Sequence, residues 1–314
     1  MSLKNKTIKW LLKNAALSLK GKTILITGAN SGVGYKTAET CIFLGANVIM
    51  ACRNKEKAKE AMDRLIHEYP QANISIAELD IANFSSIESF VQKIKDDKTD
   101  IDVFVNNAGV FHQPNRTTND GFEYVIGVNY LGTYYLTEKI LPYLLKLSHN
   151  VVYINTISLI HKFAKKIDYN DFYYNKKYRN LAVYTRSKLC LAKYTYAIAK
   201  KHENSNVKIY MNHPGIAITP LGLNAFGKKV ARLSMVFKNL FNSPEKSALS
   251  VAYILSHDFP AGSIVGPNKL FGGWGYPKIN HIRKKVKTGV EELINFTQQQ
   301  IISRNIINDK LDKN

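Results

Sequence analysis

The chain has 314 residues, 45% of them hydrophobic, with 18 tyrosines and 14 phenylalanines. That is enough apolar material for one large α/β domain or two small ones, and it excludes an intrinsically disordered chain. The formal charge of +20 is unevenly spread: no acidic residue precedes Glu39, and none lies between Glu203 and Glu245 or between Asp258 and Glu291. Such fields attract anions in general, whether phosphate-bearing cofactors, anionic lipid or nucleic acid. The lysines are dispersed among apolar positions and no nucleic-acid module is present, so a solvated basic surface is expected and nucleic acid is not. No run approaches the ~18 apolar residues of a membrane span. The N-terminus lacks the apolar block and cleavage site of a secretory signal. Three widely spaced cysteines, Cys41, Cys52 and Cys190, read as reduced thiols of a cytoplasmic protein, with neither a disulfide framework nor zinc-ligand spacing.

Residues 3–20 form a basic amphipathic segment. Ile8, Leu11, Leu12, Ala15 and Leu19 recur at helical spacing, while Lys6, Lys9, Lys13 and Lys20 lie off that face and Trp10 adds an interfacial residue. Packing on the body of the same protein is the favoured reading, with weak, reversible contact to an anionic membrane surface as the alternative. Lys22–Thr27 is a short β-branched run, read as a buried strand. It feeds Gly28-Ala29-Asn30-Ser31-Gly32-Val33-Gly34 and then a helical stretch from Tyr35 to Leu44. A strand, a glycine-rich turn and a helix start bring backbone N–H groups and the positive helix end to a phosphate. The spacing is Gly-x-x-x-Gly-x-Gly, not Gly-x-Gly-x-x-Gly. Asn47–Ala51 is the next strand, followed by Cys52-Arg53-Asn54. A carboxylate at that strand end would suit a ribose 2′-hydroxyl, whereas Arg53 suits a 2′-phosphate, so NADP(H) is expected over NAD(H).

A helix at 55–68, a strand at Ile74–Leu79 closed by Asp80-Ile81, a helix at Ile87–Ile94 and a strand at Ile101–Val105 ending in Asn106-Asn107-Ala108-Gly109 follow in order. Repeated strand–helix units require right-handed crossovers and a parallel sheet, which places Gly28, Arg53, Asp80 and Asn106 on one rim. Gly121–Leu147 is mainly helical and holds Asn129 in apolar company; Val151–Ile154 is a fifth strand with Ser158 just beyond it. After a loop at 162–183 comes a helix carrying Tyr184 and Lys188, four residues apart on one face. A phenol titrates near pH 10, and a neighbouring ammonium lowers that value and makes the tyrosine a workable acid/base. Lys208–Met211 is a sixth strand ending in His213-Pro214-Gly215 and Thr219; Ser243-Pro244-Glu245 opens a helix; Leu270–Pro277 is a glycine-rich strand end and loop; and Val290–Ile302 is a last helix. The organisation expected is a basic N-terminal segment at 1–20, one domain at 21–302 and a frayed tail at 303–314.

Across roughly residues 20–300 these motifs, in this order, resemble the short-chain dehydrogenase/reductase family, most closely its retinol dehydrogenase and protochlorophyllide reductase branch. They are Thr27-Gly28…Gly32…Gly34, Asp80-Ile81, Asn106-Asn107-Ala108-Gly109, Asn129, Ser158, Tyr184…Lys188 and Pro214-Gly215…Thr219. Ala51-Cys52-Arg53-Asn54, Ser158-Leu159-Ile160-His161 and His213-Pro214-Gly215 carry the flavour of the branch. Ile157 departs from it, standing where many relatives have a serine. The resemblance implies a single-domain, Rossmann-type, doubly wound parallel sheet with helices on both faces. It implies a nicotinamide site at Gly28, Asn30, Ser31, Gly32, Val33, Gly34, Arg53, Asp80, Ile81, Asn106, Ala108, Gly109, Pro214, Gly215 and Thr219, together with Tyr184 and Lys188. Tyr184 would exchange a proton with the substrate oxygen. Lys188 would lower the tyrosine pKa and hold the nicotinamide ribose, Ser158 would hydrogen-bond the substrate oxygen, and Asn129 would complete a water relay. The implied activity is carbonyl reduction or alcohol oxidation, with a non-catalytic nucleotide sensor as the alternative and a homodimer as a compatible assembly. Phe163, Phe172, Tyr173, Phe226, Leu233, Met235, Phe237 and Phe241 are candidate lining for a lipophilic substrate.

Overall fold

The computed structural model describes residues 5–14, 17–111, 113–215, 242–269 and 272–311. Its framework is an eight-stranded sheet in the order β3-β2-β1-β4-β5-β6-β7-β8. The strands are β1 (Thr23–Thr27), β2 (Asn47–Cys52), β3 (Ile74–Glu78), β4 (Val103–Asn106), β5 (Val151–Thr156), β6 (Val207–Asn212), β7 (Ile264–Lys269) and β8 (Trp274–Asn280). All neighbours pair parallel except β7 and β8. The chain winds outward from β1 to β3, then returns to build the other half from β4, so the crevice between β1 and β4 is the switch point where open α/β sheets bind ligands.

Strand periodicity divides the core between two faces. Ile24, Ile26, Val48, Met50, Val103 and Val105 point to one side, under α2 (Gly32–Phe43), α3 (Lys55–Glu68) and α8 (Pro244–Leu255). Leu25, Phe104, Tyr153 and Ile209 point to the other, under α4 (Phe84–Asp96), α6 (Thr133–Leu144) and α7 (Asn180–Lys201). α3 keeps the expected bounds because Asn54 caps it, accepting from the Lys57 N–H at 2.7 Å. Between the short α5 (Tyr124–Ile126) and α6, residues Gly127–Gly132 are wound as a π-helix with Asn129 at their centre. Such a local widening is most often kept at a functional position.

The C-terminal third departs from expectation. β7 and β8 form an antiparallel hairpin with an irregular register between Pro267 and Lys269; β7 has no counterpart in the sequence reading, and β8 overlaps Leu270–Pro277, read there as a glycine-rich strand end and loop. Gly266 and Pro267 are strand breakers in isolation but are tolerated near a sheet edge. After α9 (Lys284–Lys287), α10 runs from Val290 to Leu311, past the end expected at Ile302. Helix α1 (Asn5–Asn14) lies on α8: Leu11 is fully buried with Leu249 and Ala252, and Trp10 stacks on Tyr276 with centroids 5.5 Å apart. Leu12, expected on the inner face, is turned out and 70% exposed. Cys41, Cys52 and Cys190 are buried free thiols. Among the described residues no helix is long and apolar enough to cross a membrane.

Candidate active site

A cleft of about 760 Å³ runs along the C-terminal ends of β1, β2 and β4. Gly28, Asn30, Ser31, Gly32, Val33, Gly34, Arg53, Asp80, Ile81, Ala108, Gly109, Tyr184, Lys188 and Pro214 line it, as expected from sequence. The glycines act through space and through φ. Gly28 sits at φ +66°, against the Ala108 backbone. A β-carbon on Gly34 would collide with the Gly28 carbonyl and the Asn107 amide, so only glycine allows the first turn of α2 to close on β1.

Thr27 ties β1 to the β4 end: its hydroxyl accepts from the Asn107 and Ala108 N–H groups, both at 2.9 Å, and donates to Asn106 Oδ1 at 3.1 Å. Asn106 is thereby a correction. It is 2% exposed and does not line the cleft; its amide points into the sheet and donates to the Tyr153 hydroxyl at 3.3 Å.

At the far end of the cleft, Arg53 donates to the Tyr124 hydroxyl at 2.9 Å and lies 3.9 Å from Asp80. The Tyr124 bond holds the guanidinium pKa above its usual value. Asp80 receives the Ala82 N–H at 2.9 Å on its other oxygen. Lys57 and Arg64 of α3 line the same end and were missed. They lie seven residues apart on one helical face directly after Arg53, a spacing that could have flagged them.

Tyr184 and Lys188 stand at the opposite end on successive turns of α7. Tyr184 packs against Phe111, centroids 4.4 Å apart. Burial raises its pKa, and the bond from Ser158 pulls the other way. The Lys188 ammonium donates to the Thr156 carbonyl at 2.9 Å, and burial lowers its pKa to about 8. Ser158 supplies the counterweight to burial at the phenol. Ser158 opens a 3-10 turn, Leu159–Phe163, and accepts from the Ile160 N–H at 3.4 Å.

Asn129 is fully buried: its oxygen accepts from Val110 N–H at 2.7 Å, and its amide donates to Val110 O at 2.8 Å and to Ser187 Oγ at 3.2 Å. Ser187, the residue before Lys188, thus joins Asn129 to the helix that carries the tyrosine. Gly215 lies outside the cleft lining at φ +75°, and Thr219 lies outside the described residues.

The candidate apolar lining is dispersed. Phe172 is 2% exposed and packs with Phe296 and Tyr173, while Phe163 is 71% exposed. Phe226, Leu233, Met235, Phe237 and Phe241 lie outside the described residues.

The family model for short chain dehydrogenases matches residues 22–170. The chain is 37% identical over 248 residues to retinol dehydrogenase 14 of Mus musculus, covering 75% of this chain and 74% of that protein. To retinol dehydrogenase 13 of Homo sapiens it is 36% identical over 242 residues, covering 76% and 72% respectively. The chain belongs to the short-chain dehydrogenase/reductase family. A solved structure of an uncharacterised Mycobacterium paratuberculosis protein superposes with TM-score 0.72 at 27% identity, over 90% of this chain and 94% of that one.

This short-chain dehydrogenase is of the retinol dehydrogenase-like branch, an oxidoreductase acting on CH–OH or carbonyl groups with a nicotinamide dinucleotide. The cleft fits that cofactor. Gly34 lets the first turn of α2 close on β1 so that the N–H groups of Ser31, Gly32, Val33 and Gly34 line it, and the α2 N-terminus suits the pyrophosphate of such a cofactor.

Proposed function

We propose that the protein is an NADP(H)-dependent reductase or dehydrogenase of a lipophilic carbonyl or alcohol, of retinoid, steroid or lipid-aldehyde kind. The observation that carries this reading is the polarity of the cleft: Arg53, Lys57 and Arg64 outnumber Glu60 and Asp80 on the β2–α3 side of the lining, and the Tyr184–Lys188 pair is contributed by α7. A 2′-phosphate adds two charges that this cationic side suits better than a bare ribose. The retinol dehydrogenase relatives support the lipophilic substrate.

The bound dinucleotide supplies or accepts the hydride. Tyr184 gives its phenol proton to the carbonyl oxygen in reduction and removes the alcohol proton in oxidation. Ser158 stabilises charge developing on that oxygen. Lys188, held by Thr156, orients the nicotinamide ribose, and Asn129 anchors a water that resupplies the proton. Asp80, Ile81 and Asn30 would flank the adenosine; Ser31, Gly32, Val33 and Gly34 would present N–H groups to the phosphates; and Ala108, Gly109 and Pro214 would border the nicotinamide half. The site needs no metal for this chemistry.

The test is titration with NADPH and NADH, followed by nucleotide fluorescence, on wild type and Arg53→Ala. We expect wild type to prefer NADPH and the variant to lose about 10- to 100-fold in NADPH affinity with NADH affinity unchanged, the value of a charge-assisted contact of ~1.5–3 kcal/mol. Equal affinities in wild type would overturn the cofactor preference and leave the enzyme intact. Reduction rates that fail to rise from short polar aldehydes to all-trans-retinal would overturn the lipophilic substrate.

Peripheral membrane contact from the cytoplasmic side is the further part of this reading. Both tryptophans of the chain, with Tyr276, form one face bordered by Lys6, Lys246 and Lys269. Aromatic rings among lysines suit an anionic interface. Failure to co-float with phosphatidylserine vesicles at low salt would exclude it.

A further inference from the structure

Ser158 reaches Tyr184 from a turn, and a hydroxyl on a turn is only as well placed as the turn itself. One end of that turn is tied by Arg283 and Lys285: Arg283 donates to the Lys162 carbonyl at 3.1 Å, and Lys285 to the Lys162 and Ala164 carbonyls at 3.0 and 2.8 Å. The end that carries Ser158 is tied by His161. Its backbone N–H donates to the Ser158 carbonyl at 3.1 Å, and its ring Nδ1 lies 2.6 Å from the same oxygen. A carbonyl can only accept, so Nδ1 must carry the proton and the ring must donate.

The ring is fully buried, and its Nε2 has no hydrogen-bond partner among the described residues. Such a group is costly unless something requires it. Behind it stands His213, also fully buried, with neither ring nitrogen in a well-formed hydrogen bond among the described residues. Its ring occupies space that two glycines leave open: a β-carbon on Gly266 would collide with it, and one on Gly272 would stand 3.2 Å from it and 3.0 Å from Leu159 of the turn. His213 thus fills the gap between β7 and the turn.

We infer that His161 is the positioning residue of Ser158: its Nδ1–H fixes the Ser158 carbonyl and hence the direction of the hydroxyl toward Tyr184, with His213 as the backing. The inference rests on the catalytic reading of Ser158 and Tyr184 given above. Three ties converge on Ser158: the Ile160 N–H on its hydroxyl, the His161 N–H on its carbonyl and the imidazole on that same carbonyl. The first needs only the Ser158 hydroxyl itself and the second is the backbone bond of any 3-10 turn, so only the third depends on the type of another residue. Burial first, and then the charges of Lys162, Arg283 and Lys285, disfavour a second proton on the ring, which keeps it a neutral donor at one nitrogen.

The experiment compares His161→Leu, His161→Asn and His161→Gln, in the parent and in a Ser158→Ala background. It uses full-length protein, NADPH and the carbonyl compound that wild type reduces fastest. An asparagine amide can take the place of Nδ1, whereas the glutamine amide falls nearer Nε2. We expect H161L and H161Q to lose about 10- to 100-fold in kcat, the usual consequence of a reacting group displaced by about an ångström. NADPH affinity should hold within about twofold, and H161N should recover most of the loss. The ascending limb of the pH profile for alcohol oxidation should move to higher pH in H161L, because a loosened Ser158 no longer favours the phenolate. In the Ser158→Ala background the His161 substitutions should cost almost nothing further, since they act through a hydroxyl already removed.

Additive losses, or H161N no better than H161Q, would overturn the inference in favour of plain packing. If H161L fails to fold, the Asn/Gln comparison still decides. Tyr184→Phe separates the two levels. Full activity in Y184F, or no carbonyl reduction by wild type, overturns the catalytic reading and this inference with it; inactive Y184F beside unaffected His161 variants overturns this inference alone.

Discussion

The burial of His213 should make the fold acid-labile in a window that can be measured. In an unfolded chain the imidazole titrates near pH 6.5, whereas in the fold burial, followed by the charges of Lys162 and His161, pushes it down to about 3. Asn280 lies close enough to favour the charged form slightly, without offsetting the loss of solvent. Below pH 6.5 the unfolded state therefore holds a proton that the native state refuses, so stability is full above that pH and falls as pH drops toward 3. Each pH unit in the window costs ~1.4 kcal/mol, and by pH 4 the accumulated loss is ~3 kcal/mol from this one ring, a large share of a typical domain's 5–15 kcal/mol. Urea denaturation followed by tryptophan fluorescence at pH 7, 6, 5 and 4.5 gives the curve for wild type and for His213→Leu. Leucine fits the glycine-lined space but does not titrate. The variant starts from a lower or similar stability at pH 7 and loses less with each step, so the two curves converge or cross as pH falls. Curves that stay parallel between pH 6.5 and 4.5 would refute the argument, because the ring would then be solvated or partnered in the native state. His161, pushed down to about 4 by burial, contributes in the same direction in both proteins and cancels in the difference.

Thr27→Val removes the oxygen that receives two backbone N–H groups; it should destabilise by ~1–3 kcal/mol and weaken dinucleotide binding, and unchanged Tm and affinity would count against the role of Thr27 in joining β1 to β4. Gly34→Ala should abolish detectable NADPH binding at sub-millimolar concentrations and lower Tm by several degrees, since the new methyl meets the Gly28 carbonyl, which cannot swing aside, as well as the Asn107 amide; normal binding in a fluorescence titration would contradict the packing at the α2 start.

What could be read from sequence followed local rules. Helix α3 reads correctly because Asn54 caps it and Ala58, Ala61 and Leu65 repeat at helical spacing to become its buried stripe. Strands β1 to β6 read correctly because buried parallel strands are short β-branched runs cut off by turn residues. The rim residues followed from topology, since every parallel strand ends on the same side. The failures are non-local. β7 and β8 carry Gly266, Pro267, Gly275 and Pro277, tolerable only because they pair with each other at the sheet edge. Asn106 has the composition of a ligand contact, but Thr27, a strand away, turns its amide inward. Phe172 was drawn off the substrate side by Phe296 of a helix 124 residues further along, a contact that no spacing rule foretells. The π-helical winding around Asn129 has no sequence signature, because its cause is the pairing of Asn129 with Val110 in another segment.

That pairing also limits what Asn129 can do. A primary amide offers two donor hydrogens and two acceptor positions. Val110 and Ser187 take both hydrogens, and Val110 N–H takes one acceptor position, which leaves a single lone pair on Oδ1. That oxygen faces Gly109: a β-carbon there would stand 3.0 Å from Asn129 Oδ1 and 3.3 Å from Lys188 Nζ. One point above Gly109 is therefore within reach of both an acceptor and an ammonium, the requirements of one bridging water. In this arrangement Asn129 holds the water and carries no proton itself, while Lys188, bonded to Thr156 through one hydrogen, keeps others to give. Gly109 needs no positive φ, so Gly109→Ala introduces a methyl at that point without backbone strain. The expected result is a drop in kcat on the order of tenfold, as when a proton path is impaired but the acid itself remains, with NADPH affinity within about threefold of wild type. An undiminished kcat in G109A would place the proton supply elsewhere and leave Asn129 as the structural pin of the π-helix.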